Sequence, residues 1–159
     1  MRQELVQLGG SAHALATQIL GNRDDAADAV HDAIATALAR PGRYDPQKGS
    51  LKAWFMRVVR NRCFDMLRSR RGEGVPSDEV VHPGASPEAA VEQDQQFAAL
   101  RRALATLPAD KREILVLRDY MDLSYAEIAI VLDIAAGTVM SRLHRARLAL
   151  REAMNSDDR

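Results

Sequence analysis

The stretch Leu123–Arg151, LSYAEIAIVLDIAAGTVMSRLHRARLALR, decides the fold. Ser124 followed three residues later by Glu127 is a capping box, which predicts a helix starting at Tyr125. Ile128, Ala129 and Leu132 give that helix an apolar face. Asp133 to Ala135 make a turn, and a second helix runs from Thr138 to about Arg151. In it Val139, Leu143, Ala146 and Leu150 fall on one stripe of a 3.6-residue period. Thr138, Ser141, Arg142 and Arg145 lie on the opposite side. One face packs, and the other offers hydroxyl and guanidinium groups, as a helix entering a major groove requires. Capped helix pairs also occur as plain structure, but a basic face free of acids favours DNA.

The rest of the chain is helical in character too. Strand formers in alternating runs are absent, aromatic residues make up 4% of the sequence, and alanine and leucine dominate. The expectation is an all-α protein of two small helical domains joined by a flexible linker, the C-terminal one carrying the helix-turn-helix. Formal net charge is zero, which looks wrong for a nucleic-acid binder until the charges are placed. Arg57 to Arg71 holds six arginines against one acid, Asp65, and Thr138 to Arg151 holds four arginines and no acid. Between them Glu73, Asp78, Glu79, Glu88, Glu92 and Asp94 face no Lys or Arg. Two basic faces are thus separated by an acidic segment. The neutral sum implies modest DNA affinity for the protein alone, since phosphate neutralisation supplies most non-specific binding.

Upstream, LVQLGGSAHALATQIL gives a first helix to about residue 20, interrupted at Gly9-Gly10. Asn22 or Asp24 caps a second, with Ala26, Val30, Ala33, Ile34, Ala37 and Leu38 buried. Asp25, Asp28 and Asp32 form an acidic ridge beside that stripe. It is either a solvated face favoured near the helix N-terminus or a docking surface for a basic partner. A turn-rich loop, PGRYDPQKG, precedes Ser50, which caps a third helix. There Leu51, Phe55, Val59, Cys63 and Leu67 step by four with Val58 alongside. Arg57, Arg60, Asn61 and Arg68 lie on the other side. Trp54, the single tryptophan, reads either as core or, beside arginines and a loop, as a grip for single-stranded bases. Gly72 to Ala85 breaks all periodicity and marks a linker. Ser86-Pro87-Glu88 restarts a helix whose inner face is Phe97, Leu100, Leu104 and Leu107. Pro108 ends it, and Ala109 to Asp119 gives another with Ile114, Leu115 and Leu117 inside. Asn155 to Arg159 should fray.

Catalysis finds no support. There is no Gly-rich phosphate loop, and His13, His31, His82 and His144 are scattered without ligand spacing. The expectation is a non-enzyme with no catalytic residues, no metal site, no cofactor and no small-molecule substrate. Cys63, alone and in an apolar stripe, reads as an inert core thiol and fits a reducing cytosol. No run approaches a membrane span and no signal peptide opens the chain, so a soluble cytoplasmic protein without membrane insertion is expected.

Three segments in this order resemble the bacterial extracytoplasmic-function (ECF, group IV) RNA polymerase sigma factors. GNRDDAADAVHD, residues 21–32, is similar to the family's clamp-docking helix. SLKAWFMRVVRNRCFDMLRSRR, residues 50–71, is similar to its promoter-melting helix. Leu107–Arg151 is similar to the domain that reads the −35 element. The resemblance implies a region 2 domain over residues 1–71, a linker over 72–85 and a region 4 domain over 86–159. It implies core RNA polymerase and promoter DNA as partners. Asp25, Asp28 and Asp32 would meet the polymerase clamp. Trp54, Arg57, Arg60, Asn61 and Arg62 would meet the displaced −10 strand, with Asn61 near a flipped base. Thr138, Ser141, Arg142 and Arg145 would meet the −35 duplex. The family also implies a separate anti-sigma factor as regulator, since no sensory extension is seen. Departures are His31 where Gln is frequent, Asp133 at a turn position where Gly is common, and Met140 in place of a frequent Lys or Arg. Two other functions fit the same residues: a stand-alone helix-turn-helix regulator, or a sigma-like decoy that occupies an anti-sigma factor.

Overall fold

A computed structural model of the chain describes residues 1–72 and 95–157. All regular structure among them is helical. The N-terminal half comprises α1 (Arg2–Gln7), α2 (Gly9–Leu20), α3 (Arg23–Ala39) and α4 (Leu51–Gly72), with a 3₁₀ turn at Pro41–Arg43. The C-terminal half comprises α5 (Gln95–Ala105), α6 (Ala109–Leu115), α7 (Tyr125–Leu132) and α8 (Ala136–Asp157). The expected start at Ser86-Pro87-Glu88 and the linker beyond Gly72 lie outside the described residues. Gly72 itself is the last residue of α4.

Local chemistry sets the boundaries. The Asn22 side chain accepts hydrogen bonds from the amides of Asp24 (2.8 Å) and Asp25 (3.1 Å), so Asn22 and not Asp24 caps α3. Gly21 before it is left-handed, with φ 74°, and closes α2. Ser50 accepts from the Ala53 amide at 3.1 Å and starts α4. Ser124 and Glu127 form both bonds of the capping box, at 3.0 and 3.1 Å. The first helix breaks at Leu8 rather than at the glycines, both of which lie inside α2. Ala109 to Asp119 is not one regular helix: α6 stops at Leu115 and a π turn spans Val116–Tyr120, with the Met121 amide reaching back to the Val116 carbonyl.

The interior follows the predicted stripes with local exceptions. Phe55, Val59 and Cys63 are fully buried, joined by Ala53 and Met56, and Val139, Leu143 and Ala146 are buried along α8. Leu38 and Phe97, expected inside, are exposed, Phe97 by 58%. Ala29 and Val131 take core places that the stripes did not include.

The two halves pack on each other. Helices α2, α3 and α4 form one cluster, α5 to α8 another, and α4 lies against α7 while α2 lies against α6. Buried residues of both halves join one apolar core. Polar contacts close the seam: Ser50 Oγ donates to Glu127 at 2.8 Å, Lys52 Nζ to the Met121 carbonyl at 3.2 Å, and Arg112 Nε to the Gln18 carbonyl at 2.9 Å. Gly49 fits under Ile130 of α7, whose Cδ1 would lie 2.7 Å from a β-carbon placed there.

Candidate nucleic-acid interface

The helix-turn-helix has the expected geometry. Asp133 turns the chain in the left-handed region, φ 55° and ψ 51°, which Asp tolerates better than most residues. The Ile134 amide returns to the Ala129 carbonyl at 3.1 Å, closing α7. Helix α8 begins at Ala136, two residues earlier than expected, and extends beyond Arg151 to Asp157, so the fraying expected from Asn155 is not seen up to that residue. Ser141, Arg142 and Arg145 project outward and Thr138 is half-buried. The Ser141 hydroxyl donates to the Thr138 carbonyl at 3.0 Å and Arg145 Nε to the Ser141 carbonyl at 3.4 Å. Among the described residues, neither Arg142 nor Arg145 has a carboxylate within 4 Å. Arg147 does, against Asp119 (Nε–Oδ2 3.3 Å). That hydrogen bond raises the Arg147 guanidinium above its usual value. The four arginines of the acid-free stretch Thr138–Arg151 are therefore not all uncompensated.

On α4 the candidate residues divide. Trp54 and Asn61 line a cleft of about 670 Å³ together with Thr36, Arg43, Arg57 and Ile130. Trp54 is half-buried and meets the Tyr44 ring at 5.4 Å, with Tyr44 donating to the Gly49 carbonyl at 3.2 Å. One side of this tryptophan packs and another faces the cleft. Arg57 reaches Asp133 of the helix-turn-helix at 3.7 Å. Arg62 pairs with Asp32 at 3.0 Å. Arg60 turns away from the cleft and lies over the Phe64 ring, 4.6 Å from its centroid. It donates to Glu113 of α6 through Nε (2.8 Å) and Nη2 (3.1 Å).

The acidic ridge on α3 is neither bare nor fully engaged. Asp32 holds Arg62, Asp25 holds Arg70 of α4, and Asp28 is exposed with no cation within 4 Å among the described residues. Those ion pairs lock α3 on α4, a role that the sequence reading did not include.

Glu113 is the residue that sequence reasoning missed. It is 1% exposed, the one buried charged side chain among the described residues. Burial pushes its carboxyl up, against the hydrogen bonds and charge of Arg60 and the charge of Arg142, which pull it down. The available signal was a carboxylate directly preceding the apolar run Ile114–Leu117. Cys63 has no chemistry to offer: burial, helped by the charge of Glu113, pushes its thiol up to about 12. Among the described residues no His, Cys, Asp and Glu cluster could hold a metal, and no helix is long and apolar enough to cross a membrane.

Known proteins resemble this chain over most of its length. Residues 5–73 match the family described as Sigma-70 region 2, and residues 97–150 match Sigma-70, region 4. The chain is 35% identical over 155 residues to the ECF RNA polymerase sigma factor SigE of Mycolicibacterium smegmatis, covering 94% of this chain and 60% of that one, so it spans less than two thirds of that relative. It is 37% identical over 140 residues to the ECF RNA polymerase sigma factor SigM of Mycobacterium tuberculosis, covering 87% of this chain and 68% of that one. Among solved structures it is similar to the sigma factor RpoE in complex with the anti-sigma factor NepR from Bartonella quintana. The TM-score is 0.78 at 29% identity, over 98% of this chain and 96% of that one. Paired sigma regions 2 and 4, together with identity to SigM over most of both chains, establish that this chain belongs to the ECF RNA polymerase sigma factors.

Proposed function

We propose that the protein binds core RNA polymerase and directs it to specific promoters, reading the −35 duplex with α8 and engaging the separated −10 strand with α4. The observation that carries this reading is one chain presenting two different surfaces, each suited to a different form of nucleic acid. An exposed arginine-bearing helix of a capped helix-turn-helix suits a groove, and a cleft lined by Trp54 and Asn61 suits an unstacked base. Thr138, Ser141, Arg142 and Arg145 contact the −35 element; Trp54, Arg57, Arg60, Asn61 and Arg62 serve the −10 element. Asp28, exposed and unpaired with any cation within 4 Å among the described residues, is the foremost polymerase contact, with Asp25 and Asp32 beside it. Residues 1–71 and 86–159 act as the two functional domains. The role is that of a cytoplasmic initiation factor and not of an enzyme.

The structural relative RpoE is held by an anti-sigma factor, and its similarity extends over both halves of this chain together. On that basis an anti-sigma protein is a partner here as well. Reconstitution with bacterial core polymerase, followed by promoter footprinting and run-off transcription, tests the function. Initiation should require both components, and absence of core binding in a pull-down would sink the reading.

A further inference from the structure

Reading both promoter elements at once is incompatible with the packed arrangement. Elements centred near −10 and −35 lie about 25 base pairs apart, roughly 85 Å of duplex at 3.4 Å per pair. Yet Arg57, on the −10 side, touches Asp133 in the turn of the −35 reader. Promoter engagement therefore requires the halves to part, and something must hold them together beforehand. The seam contains the apolar core shared by both halves, with Ile130 set on Gly49, several exposed or half-exposed polar bonds, and one pair of another kind. Glu113 is buried, and both its carboxylate oxygens are taken by Arg60, whose other side is covered by Phe64. We infer that the Arg60–Glu113 ion pair is an intramolecular latch that keeps the −10 face of α4 closed against the C-terminal half of the free protein. The inference rests on the proposed function for its consequence, but the closure itself needs no polymerase to be measured.

The physical case is an asymmetry. A buried ion pair contributes little net stability relative to apolar neighbours of the same size, because desolvation offsets attraction, but removing one partner leaves an uncompensated buried charge. Opening the seam returns both groups to water together, so the intact pair can be released as a unit. It also frees Arg60 for phosphate and uncovers the cleft from Ile130. The same arginine cannot hold Glu113 and a DNA strand at once.

Trp54, the single tryptophan, lines the seam cleft with Ile130 and reports opening directly. In the full-length free protein, Glu113→Ala should shift Trp54 emission to the red, raise acrylamide quenching severalfold and enlarge the radius of gyration in small-angle scattering, with helicity by circular dichroism unchanged. Glu113→Gln, which keeps the side-chain shape, should do the same to a smaller degree and guards against a folding defect in the alanine variant. The double variant Arg60→Met/Glu113→Leu should stay closed, since an apolar pair can fill the same seam. A random-sequence single-stranded DNA 20-mer should bind Glu113→Ala severalfold more tightly than wild type. The slope of log K against log salt should steepen by about 0.7 for each arginine released. A helical Glu113→Ala and Glu113→Gln pair with Trp54 still protected and an unchanged radius of gyration would overturn the latch. Opening without any gain in DNA binding would overturn the masking. Failure of the wild type to support initiation with core polymerase would instead count against the sigma reading, leaving the closure measurements intact.

Discussion

Ser50 and Glu127, 77 residues apart, cap two different helices and hold each other. Ser50 Oγ accepts from the Ala53 amide at the start of α4 while donating its hydrogen to Glu127, which belongs to the capping box that starts α7. Ser50→Ala therefore removes a cap and a seam bond at once. It should lower stability by about 1 kcal/mol, with a thermal midpoint a few degrees lower. In a double-mutant cycle with Glu127→Gln the two changes should couple by about 0.5 kcal/mol, and strict additivity would show that the seam bond contributes nothing.

Glu127 also sets a pH dependence. Burial pushes its carboxyl up, but hydrogen bonds from the Ser124 amide, Ser50 and the Ser124 hydroxyl, with the charge of Lys52, outweigh that and hold it below the ordinary carboxylate value. A carboxylate depressed in the folded state stabilises it fully above the unfolded value, about 4.3, and this contribution is lost as pH falls through the folded value. Urea midpoints should accordingly fall below about pH 4.3, and Glu127→Gln should flatten part of that slope. An identical slope in the variant would assign the acid sensitivity to other groups.

For Arg142 and Arg145, function and stability should separate. Both are exposed and bear no carboxylate within 4 Å among the described residues, so alanine at either should change stability by less than about 0.5 kcal/mol. Binding of the reconstituted holoenzyme to a −35-containing duplex should weaken by about 1–3 kcal/mol where a base contact is lost. Arg147→Ala, by contrast, loses the Asp119 pair and should change duplex binding less than either; anisotropy titrations rank the three.

Phe55 fills the centre of the N-terminal half with no exposed surface. Truncation to alanine should cost about 3–5 kcal/mol and leave little folded protein at 37 °C, as circular dichroism would report. A mild effect would mean that the α4 core can collapse around the vacancy.

Cys63 should resist alkylation. With its thiol pushed up to about 12 and no surface exposed, iodoacetamide at pH 8 should react at least about 10³-fold more slowly than with a free cysteine. Reactivity should appear together with unfolding in denaturant.

What sequence could reveal here tracks distance along the chain. The capping box of Ser124 and Glu127, the Asp133 turn and the four-step stripe of α4 are local patterns, and each stands in the structure as read. Contacts across the seam join residues 53, 69, 77 and 94 apart, and no periodicity announces them. That is why Arg60 read as an open basic residue and Glu113 was passed over. Phe97 failed for a related reason, since amphipathic spacing says which side of a helix is apolar but not where its neighbour ends. The acidic ridge posed a choice between solvent and partner, and part of it took a third option, the arginines of α4.

Gly49 draws a last consequence from the seam. Its missing side chain leaves the space that the tip of Ile130 occupies, while its backbone requires no left-handed geometry. An added methyl group there would crowd only the joined arrangement and leave the parted one untouched. On the inferred opening, position 49 is a tuning screw for how often the halves part, turned by a single carbon atom and involving no charged group.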